Sequence, residues 1–145
     1  MVNQVDRNEQ HSRSECLLLH GVPETTTRNF PENTRQVFAS EVSAKVGVQI
    51  IDLHLKRAHR YGPPRRDGKP RPIIARFADM NLRNLVYAEK KRCKGKHVYI
   101  TENLTVRRMG FLNKAIEQYG KENVWTKEGR IYAKDSVGNT LPIIT

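Results

Sequence analysis

The segment Arg71–Phe77, which reads RPIIARF, decides the fold. In an extended chain, successive side chains point to opposite faces of a sheet. From residue 72 onward, one face of this segment is apolar and the other carries a charge. The apolar face carries Ile73, Ala75 and Phe77, and the other face carries Ile74 and Arg76. The pattern predicts a strand over 72–77 with one buried face.

The sequence after this strand predicts a helix and a further strand. Asp79 has the side chain typical of a helix N-cap, and Gly95 ends the unit that follows. The helical residues expected to face the core are Leu82, Leu85 and Val86. Residues 96–101 alternate again, with Val98 and Ile100 on the apolar side, and this alternation predicts a strand.

The sequence before residue 71 predicts two strands that flank a helix. Residues 15–22 contain the apolar run Cys16–Leu19 and predict the first strand. Pro31 suits the first turn of a helix, where its missing N–H costs nothing. The buried stripe of this helix is expected to be Phe38, Val42 and Val46. Residues 48–56 are rich in β-branched and apolar residues and predict the second strand, and a long basic loop is expected over 57–70.

The order over residues 15–101 is therefore β-α-β-β-α-β, which is typical of the ferredoxin-like fold. We expect an α+β protein in which both helices cover one face of an antiparallel sheet and the other face is open to ligands. Residues 1–14 are polar without periodicity and are expected to be a flexible N-terminal stub. Residues 102–145 are expected to form a small C-terminal domain of a helix and a β-hairpin.

The C-terminal domain is predicted from a helix cap, an apolar stripe and short strands. Thr105 is the expected cap, and Gly120 ends the helix. Its buried residues are expected to be Met109, Leu112, Ile116 and Tyr119. Short strands are predicted over 124–125, 130–134 and 141–144.

The positive charge is concentrated in the middle of the chain. The 145 residues hold 26 Lys and Arg against 15 Asp and Glu, a net charge of +11, and residues 56–108 alone carry +12. Nucleic acid, an anionic membrane and an acidic protein are the partners that such a segment attracts. A membrane-binding segment is usually an amphipathic helix, whereas the densest cluster, 57–71, contains three prolines and cannot be helical. The distribution favours nucleic acid.

Several functional classes leave no signal in the sequence. Apolar runs reach about four residues, whereas a membrane span needs about 20, and the charged N-terminus does not resemble a secretory signal. Cys16 and Cys93 predict neither a disulfide framework nor a zinc site, which favours a reducing compartment, cytosol or nucleus. No catalytic or phosphate-binding motif is present. We predict a protein that is not an enzyme and uses no metal or cofactor.

A basic ferredoxin-like domain suggests an RNA-recognition motif, but the aromatic residues of that motif are mostly missing. Its third strand normally exposes aromatic side chains on which bases stack. When Phe77 is aligned with the last aromatic position, the stacking positions are Pro72 and Ile74. The first strand offers only His20 on the same face. Tyr99 is then the clear candidate for stacking on a base. Its alternative role is that of a partly buried side chain that only fills space under the C-terminal domain.

Because stacking residues are scarce, most of the binding affinity is expected to come from phosphate contacts. Each stacked base is worth about 1–3 kcal/mol, so binding without stacks is expected to be weakly sequence-specific and strongly salt-dependent. Arginines of the third strand are expected to be held in place by packing. Arginines in the first turn of the third helix are expected to face the basic loop across a cleft. The predicted nucleic-acid-binding residues are Arg57, Arg60, Arg65, Arg66, Lys69, Arg71, Arg76, Tyr99, Arg107 and Arg108.

Several pieces of the sequence occur in an order that is more specific than any one of them. They are LLLHGVPE at 17–24, RAHRYG at 57–62, RPIIARF at 71–77, ITENLT at 100–105 followed by Arg107 and Arg108, and VW at 124–125. Together they resemble the nucleic-acid-binding half of the protein encoded by the first open reading frame of LINE-type retrotransposons. The resemblance spans roughly residues 15–135.

The resemblance implies an atypical RNA-recognition motif and a small C-terminal domain that together bind single-stranded RNA and DNA. It implies a nucleic-acid chaperone that packages the element's transcript into cytoplasmic ribonucleoprotein particles, with the nucleus as a second compartment, during retrotransposition. In the family, arginines line the cleft that binds nucleic acid. The resemblance places the corresponding residues at Arg57, Arg60, Arg71, Arg76, Arg107 and Arg108. The family forms a homotrimer through an upstream coiled coil, whereas the residues before the first predicted strand carry no heptad repeat.

Two other functions stay open. A protein-interaction domain that docks an acidic partner is favoured by the missing aromatics and by the apolar Leu18 and Ile74 on the open face. A hydrolase or nuclease would rest only on scattered histidines and carboxylates, and no membrane partner is expected.

Overall fold

The computed structural model describes residues 2–25 and 29–144, which form an α+β protein with four α-helices and two antiparallel sheets. The helices are α1 (Gln4–Ser12), α2 (Thr34–Lys45), α3 (Met80–Ala88) and α4 (Val106–Tyr119). The strands are β1 (Cys16–His20), β2 (Leu55–Arg60), β3 (Ile73–Phe77), β4 (Tyr99–Glu102), β5 (Val124–Lys127), β6 (Arg130–Lys134) and β7 (Thr140–Ile144). Short 3-10 helices span Asp52–His54, Glu89–Cys93 and Lys121–Asn123.

The chain divides into two compact units. The four-stranded unit consists of residues 15–101, with the strand order β2-β3-β1-β4. The three-stranded unit combines residues 2–14 with 102–144 and contains α1, α4 and the sheet β5-β6-β7. β7 pairs with β6 on the side away from β5, so the predicted hairpin is extended by a third strand.

The core of the four-stranded unit lies on one face of its sheet. β3 pairs antiparallel with both β1 and β2. The predicted faces of β3 are confirmed, because its three alternate apolar residues are fully buried. They pack with apolar residues of β1, α2 and α3, so that the cluster includes Leu17, Leu19, Phe38, Val42, Val46, Ile73, Ala75, Phe77 and Val86. Both helices of this unit therefore cover the same face of the sheet.

The chain leaves β1 through a glycine that the packing requires. Gly21 has a φ of +89°, in the left-handed region that only glycine adopts without strain. A Cβ at this position would overlap the carbonyl oxygen of His97. The close approach places the end of β1 directly beside the segment that enters β4.

The predicted second strand is displaced along the chain. β2 begins at Leu55 and not at residue 48, so Arg57 and Arg60 belong to the sheet and not to the predicted loop. The Ser43 hydroxyl explains the shift, because it accepts from the N–H of Ile50 and donates to its carbonyl, both at 3.0 Å. Since a side chain satisfies both main-chain groups, this segment needs no neighbouring strand.

Two helices turn different residues inward than predicted. In α3, Leu85 is exposed and Arg83 is buried. In α4, Met109 is exposed and Arg108 is buried, while the other residues of the predicted stripe are half-buried. A helix that turns an arginine inward places the residue one or two positions later at its side or on its solvent face. The periodicity of the apolar residues does not reveal which helices bury an arginine.

The N-terminal segment contains a helix, so the prediction of a flexible stub is wrong. Asn3 caps α1 by accepting a hydrogen bond from the N–H of Asp6. Asp6 and Gln10 lie one turn apart and are both buried. Asp6 accepts from the Thr105 hydroxyl at 2.6 Å, and Gln10 donates to the carbonyl of Asn103 at 2.9 Å. The helix is anchored by polar contacts within the three-stranded unit.

Candidate nucleic-acid interface

The face of the four-stranded sheet opposite the core carries cations from two strands. We call this the open face, formed by Arg57, His59, Ile74, Arg76, Cys16, Leu18, His20, Tyr99 and Thr101. A register shift between Leu55 and Arg57 inserts one extra residue into β2. Such a bulge re-aims the residues that follow it. Arg57 consequently lies opposite Arg76, whereas strict alternation from the buried Leu55 would turn it towards the core.

The apolar residues of the open face do not form an exposed patch. Leu18 and Cys16 are buried, and Ile74 is half-buried. Leu18 and Ile74 are the residues that favoured docking of a protein partner. The burial of Leu18 and the partial burial of Ile74 remove one of the two observations that favoured that alternative, while the missing aromatics remain the other.

A stacked aromatic pair lies where β1 and β4 meet. His20 stacks on Tyr99 with 4.4 Å between the ring centroids and 1° between the planes. His20 Nε2 lies 2.8 Å from Oγ1 of Thr101, and this hydrogen bond orients the imidazole. His20 covers one face of the Tyr99 ring, yet Tyr99 is 56% exposed. The tyrosine is thus a preordered surface for a planar ligand, and its exposure argues against a filling role.

The imidazole in this stack is uncharged at neutral pH. Burial, together with the positive charge of Arg65, lowers the pKa of His20 to about 4. A neutral ring can be covered by Tyr99 without the cost of desolvating a charge. Arg65, from the basic loop, therefore lies within electrostatic range of the imidazole.

We expect an NMR titration to find that His20 protonates near pH 4. A histidine in the unfolded chain protonates near pH 6.5, so the unfolded state takes up this proton first. The stability that depends on neutral His20 is therefore complete above pH 6.5 and is lost as the pH falls towards 4. Urea unfolding at both ends of this range, compared with His20→Gln, measures that loss. An ordinary pKa for His20 would contradict the desolvation of its imidazole in the stack.

The basic loop between β2 and β3 covers residues 61–72 and carries four of the predicted cations, the last of which is Arg71. Arg65, Arg66 and Lys69 are exposed. Arg65 Nη2 lies 2.7 Å from Oδ2 of Asp67, and Oδ1 of the same carboxylate accepts from the N–H of Lys69. These contacts order the tip of the loop around one carboxylate, while the side chains of Arg66 and Lys69 extend into solvent.

Two partly exposed carboxylates accept hydrogen bonds from cations of the sheet and of the basic loop. Oε2 of Glu15 lies 3.0 Å from Lys56 Nζ and 3.3 Å from Arg76 Nη1. Oε1 of Glu24 lies 2.7 Å from Nη2 and 3.1 Å from Nε of Arg71. The hydrogen bonds from Lys56 and from Arg71 lower the pKa of Glu15 and of Glu24, respectively. Ion pairs this exposed stabilise a fold by about 0–1 kcal/mol.

Arg60 is buried in an ion pair, and its predicted phosphate contact is wrong for the folded chain. Nε and Nη2 each donate to the Glu32 carboxylate at 2.9 Å. Nη1 donates to the carbonyls of Val22 and Arg71, and Nη2 also to that of Pro23. The side chains of Arg60 and Glu32 are 6% and 2% exposed. All five donors of the guanidinium are occupied. The hydrogen bonds that Arg60 donates to the Glu32 carboxylate lower the pKa of Glu32 to about 2.

Arg107 and Arg108 belong to the three-stranded unit, and the other eight predicted residues to the four-stranded unit. Arg107 is exposed, but Arg108 is buried, with Nε 2.8 Å from Oδ2 of Asp6 and Nη1 2.6 Å from the carbonyl of Gly129. Burial raises the pKa of Asp6, but hydrogen bonds from Thr105 and Arg108 outweigh it and leave the pKa below its ordinary value. The predicted phosphate contact of Arg108 is therefore wrong as well.

Three residues of this surface receive no functional role from the sequence. Alternation places His20 on the open face, but only the adjacency of β1 and β4 brings its ring onto Tyr99. Lys56 falls inside the predicted second strand, but only the bulge brings Arg57 to the same side of the sheet beside it. Glu15 looks like an ordinary polar residue before a strand. The alternation of β1 was the one signal that pointed to His20.

The remaining observations do not assign a class of ligand. Within residues 2–25 and 29–144, no group of three or more His, Cys, Asp and Glu side chains could hold a metal ion. None of the described helices is long and apolar enough to cross a membrane. No protein-family model matches the chain, and no curated protein matches it either. The geometry of the open face and the distribution of charge are therefore the features that bear on function.

Proposed function

We propose that the chain is a non-enzymatic protein that binds single-stranded nucleic acid, RNA above all, with low sequence specificity. The four-stranded unit is, in this proposal, an atypical RNA-recognition motif with the ferredoxin-like fold. The chain order β1-α2-β2-β3-α3-β4 and the strand order β2-β3-β1-β4 support that fold. The placement of α2 and α3 on one face of the sheet supports it further.

The exposed Tyr99 ring, backed by neutral His20 on a face that also carries Arg57 and Arg76, is the observation that carries the proposal. A base can stack on the tyrosine, and the guanidinium groups can bind phosphates of the same strand. One stacking surface accepts any base because every base has a planar face. Low sequence specificity follows, since most of the affinity comes from phosphates.

We extend the proposal to a nucleic-acid chaperone that packages RNA into ribonucleoprotein particles during retrotransposition. The extension depends on the resemblance to the LINE-type first-open-reading-frame protein. Contacts that are mainly electrostatic and independent of sequence suit this role, because they form and break on any strand. The exposed ion pairs of Arg71 and Arg65 are consistent with cations that exchange partners readily.

Fluorescence anisotropy with a labelled oligo-U strand tests the proposal. We expect the logarithm of affinity to fall linearly with the logarithm of salt concentration, with a slope of about −0.7 for each phosphate neutralised. Tyr99→Ala should weaken binding by about 5- to 150-fold, which corresponds to a stack of about 1–3 kcal/mol. Tyr99→Phe keeps the ring and should bind within about twofold of the original protein.

Three outcomes would contradict the proposal. A flat salt plot would exclude binding dominated by phosphates. Equal affinities of Tyr99→Ala and the original protein would exclude the stack. An absence of oligonucleotide binding, combined with nuclease-resistant retention of an acidic protein, would support the protein-interaction function instead.

A further inference from the structure

We propose that the Glu15 carboxylate occupies, in the free protein, the position of a nucleic-acid phosphate, so that binding there exchanges a carboxylate for a phosphate. The inference rests on the proposed function and identifies one anion position within it. Glu15 is then a residue that regulates affinity, although it contributes no favourable contact to the strand.

Two cations contact this carboxylate, and a third lies opposite one of them on the neighbouring strand. Lys56 and Arg57 come from β2, and Arg76 comes from β3. Arg57 and Arg76 lie directly opposite each other, and like charges in that arrangement repel. Oε2 of Glu15 lies within 3.3 Å of both Lys56 and Arg76. One carboxylate thus balances part of a cluster that carries three positive charges.

A phosphate can replace this carboxylate because the two groups are chemically alike. Both are oxyanions that accept charge-assisted hydrogen bonds from ammonium and guanidinium groups. The Glu15, Lys56 and Arg76 side chains are 32%, 51% and 27% exposed, so a strand can reach the cations and the displaced carboxylate can return to water. Each group carries at least one negative charge, so the exchange preserves the local balance of charge.

Exposure distinguishes this pair from the two buried pairs. Arg60–Glu32 and Arg108–Asp6 have side chains that are 2–6% exposed, and displacement of either acid would leave a charge in the interior. Only an exposed pair can therefore exchange its acid for an incoming anion. The returning carboxylate also competes with a bound phosphate, which favours rapid release of the strand.

The test compares Glu15→Gln with Glu89→Gln in the oligo-U anisotropy assay. Glu89 accepts from Arg92 Nε at 2.8 Å in an exposed pair at the end of α3, whose helix packs against the core face of the sheet. Both variants raise the net charge by one and break an Arg–Glu pair, so Glu89→Gln controls for charge. We expect Glu15→Gln to bind about two- to fivefold more tightly than the original protein. Glu89→Gln should change the affinity by much less.

A second comparison identifies the cations involved. In a Lys56→Ala, Arg76→Ala background, the further change Glu15→Gln should no longer tighten binding, because the cations that it releases are gone. Equal tightening by Glu15→Gln and Glu89→Gln would overturn the inference in favour of a general charge effect. Unchanged or weaker binding by Glu15→Gln, with salt-dependent binding by the original protein, would overturn it and leave the proposed function intact. Failure of the original protein to bind oligo-U would reject the proposed function itself.

Discussion

Replacing Arg60 with alanine should lower the free energy of unfolding of the four-stranded unit by about 3–5 kcal/mol. The change would leave the Glu32 carboxylate, 2% exposed, without its cation. It would also remove the donors to the carbonyls of Val22, Pro23 and Arg71, which join the exit of β1 to the loop before β3. Hydrogen exchange of the β1 and β3 amides measures the loss within this unit.

Arg71→Ala is the matched control for this prediction. Arg71 also pairs with a glutamate, Glu24, but the two side chains are 26% and 30% exposed. We expect a loss of about 0–1 kcal/mol, because water screens such a pair. Arg60→Lys should recover little of the loss caused by Arg60→Ala, because an ammonium cannot reproduce the planar fork. Equal losses in the Arg60→Ala and Arg71→Ala variants would show that burial of the Arg60 pair has no energetic consequence.

Asp6→Ala should destabilise the three-stranded unit by a similar amount, about 3–5 kcal/mol. The variant leaves the guanidinium of Arg108 buried without a counter-charge. It also removes the acceptor of the Thr105 hydroxyl, which caps α4. Trp125, the single tryptophan of the chain, lies on β5 in the same unit. Its fluorescence during urea unfolding therefore reports on the affected unit.

Glu9→Ala is the matched control on the same helix. Glu9 pairs with Arg13 one turn away at 2.9 Å, and both side chains are partly exposed. A pair of this kind contributes about 0.3–0.5 kcal/mol. If Asp6→Ala cost no more than Glu9→Ala, the N-terminal helix would not be an integral part of the three-stranded unit.

The buried and exposed arginines divide the predicted binding residues into two groups with different consequences. Loss of Arg60 or Arg108 should impair binding only through unfolding, because their donors are bound inside the protein. Loss of Arg57, Arg66 or Lys69 should weaken binding without a large effect on stability, because these side chains are exposed. An alanine scan that measures affinity and stability together therefore separates the two groups.

Local patterns predicted much of the fold. The faces of β3, the buried stripe of α2 and the caps Asp79 and Thr105 are confirmed, because each depends on residues within a few positions of one another. The start of β2 and the helix at residues 4–12 were predicted wrongly. Ser43 satisfies the main chain of Ile50 from another element, and α1 buries polar side chains, so neither feature has an apolar period.

The charge distribution was readable from the sequence because it depends only on which residues lie between positions 56 and 108. Which of those charges face solvent depended on the tertiary structure. Arg60, Arg71 and Arg108 look alike in the sequence, but their acidic partners lie 28, 47 and 102 positions away. Folding brings each acid to its arginine, and the depth at which they meet decides whether the pair is locked in the interior or open to exchange.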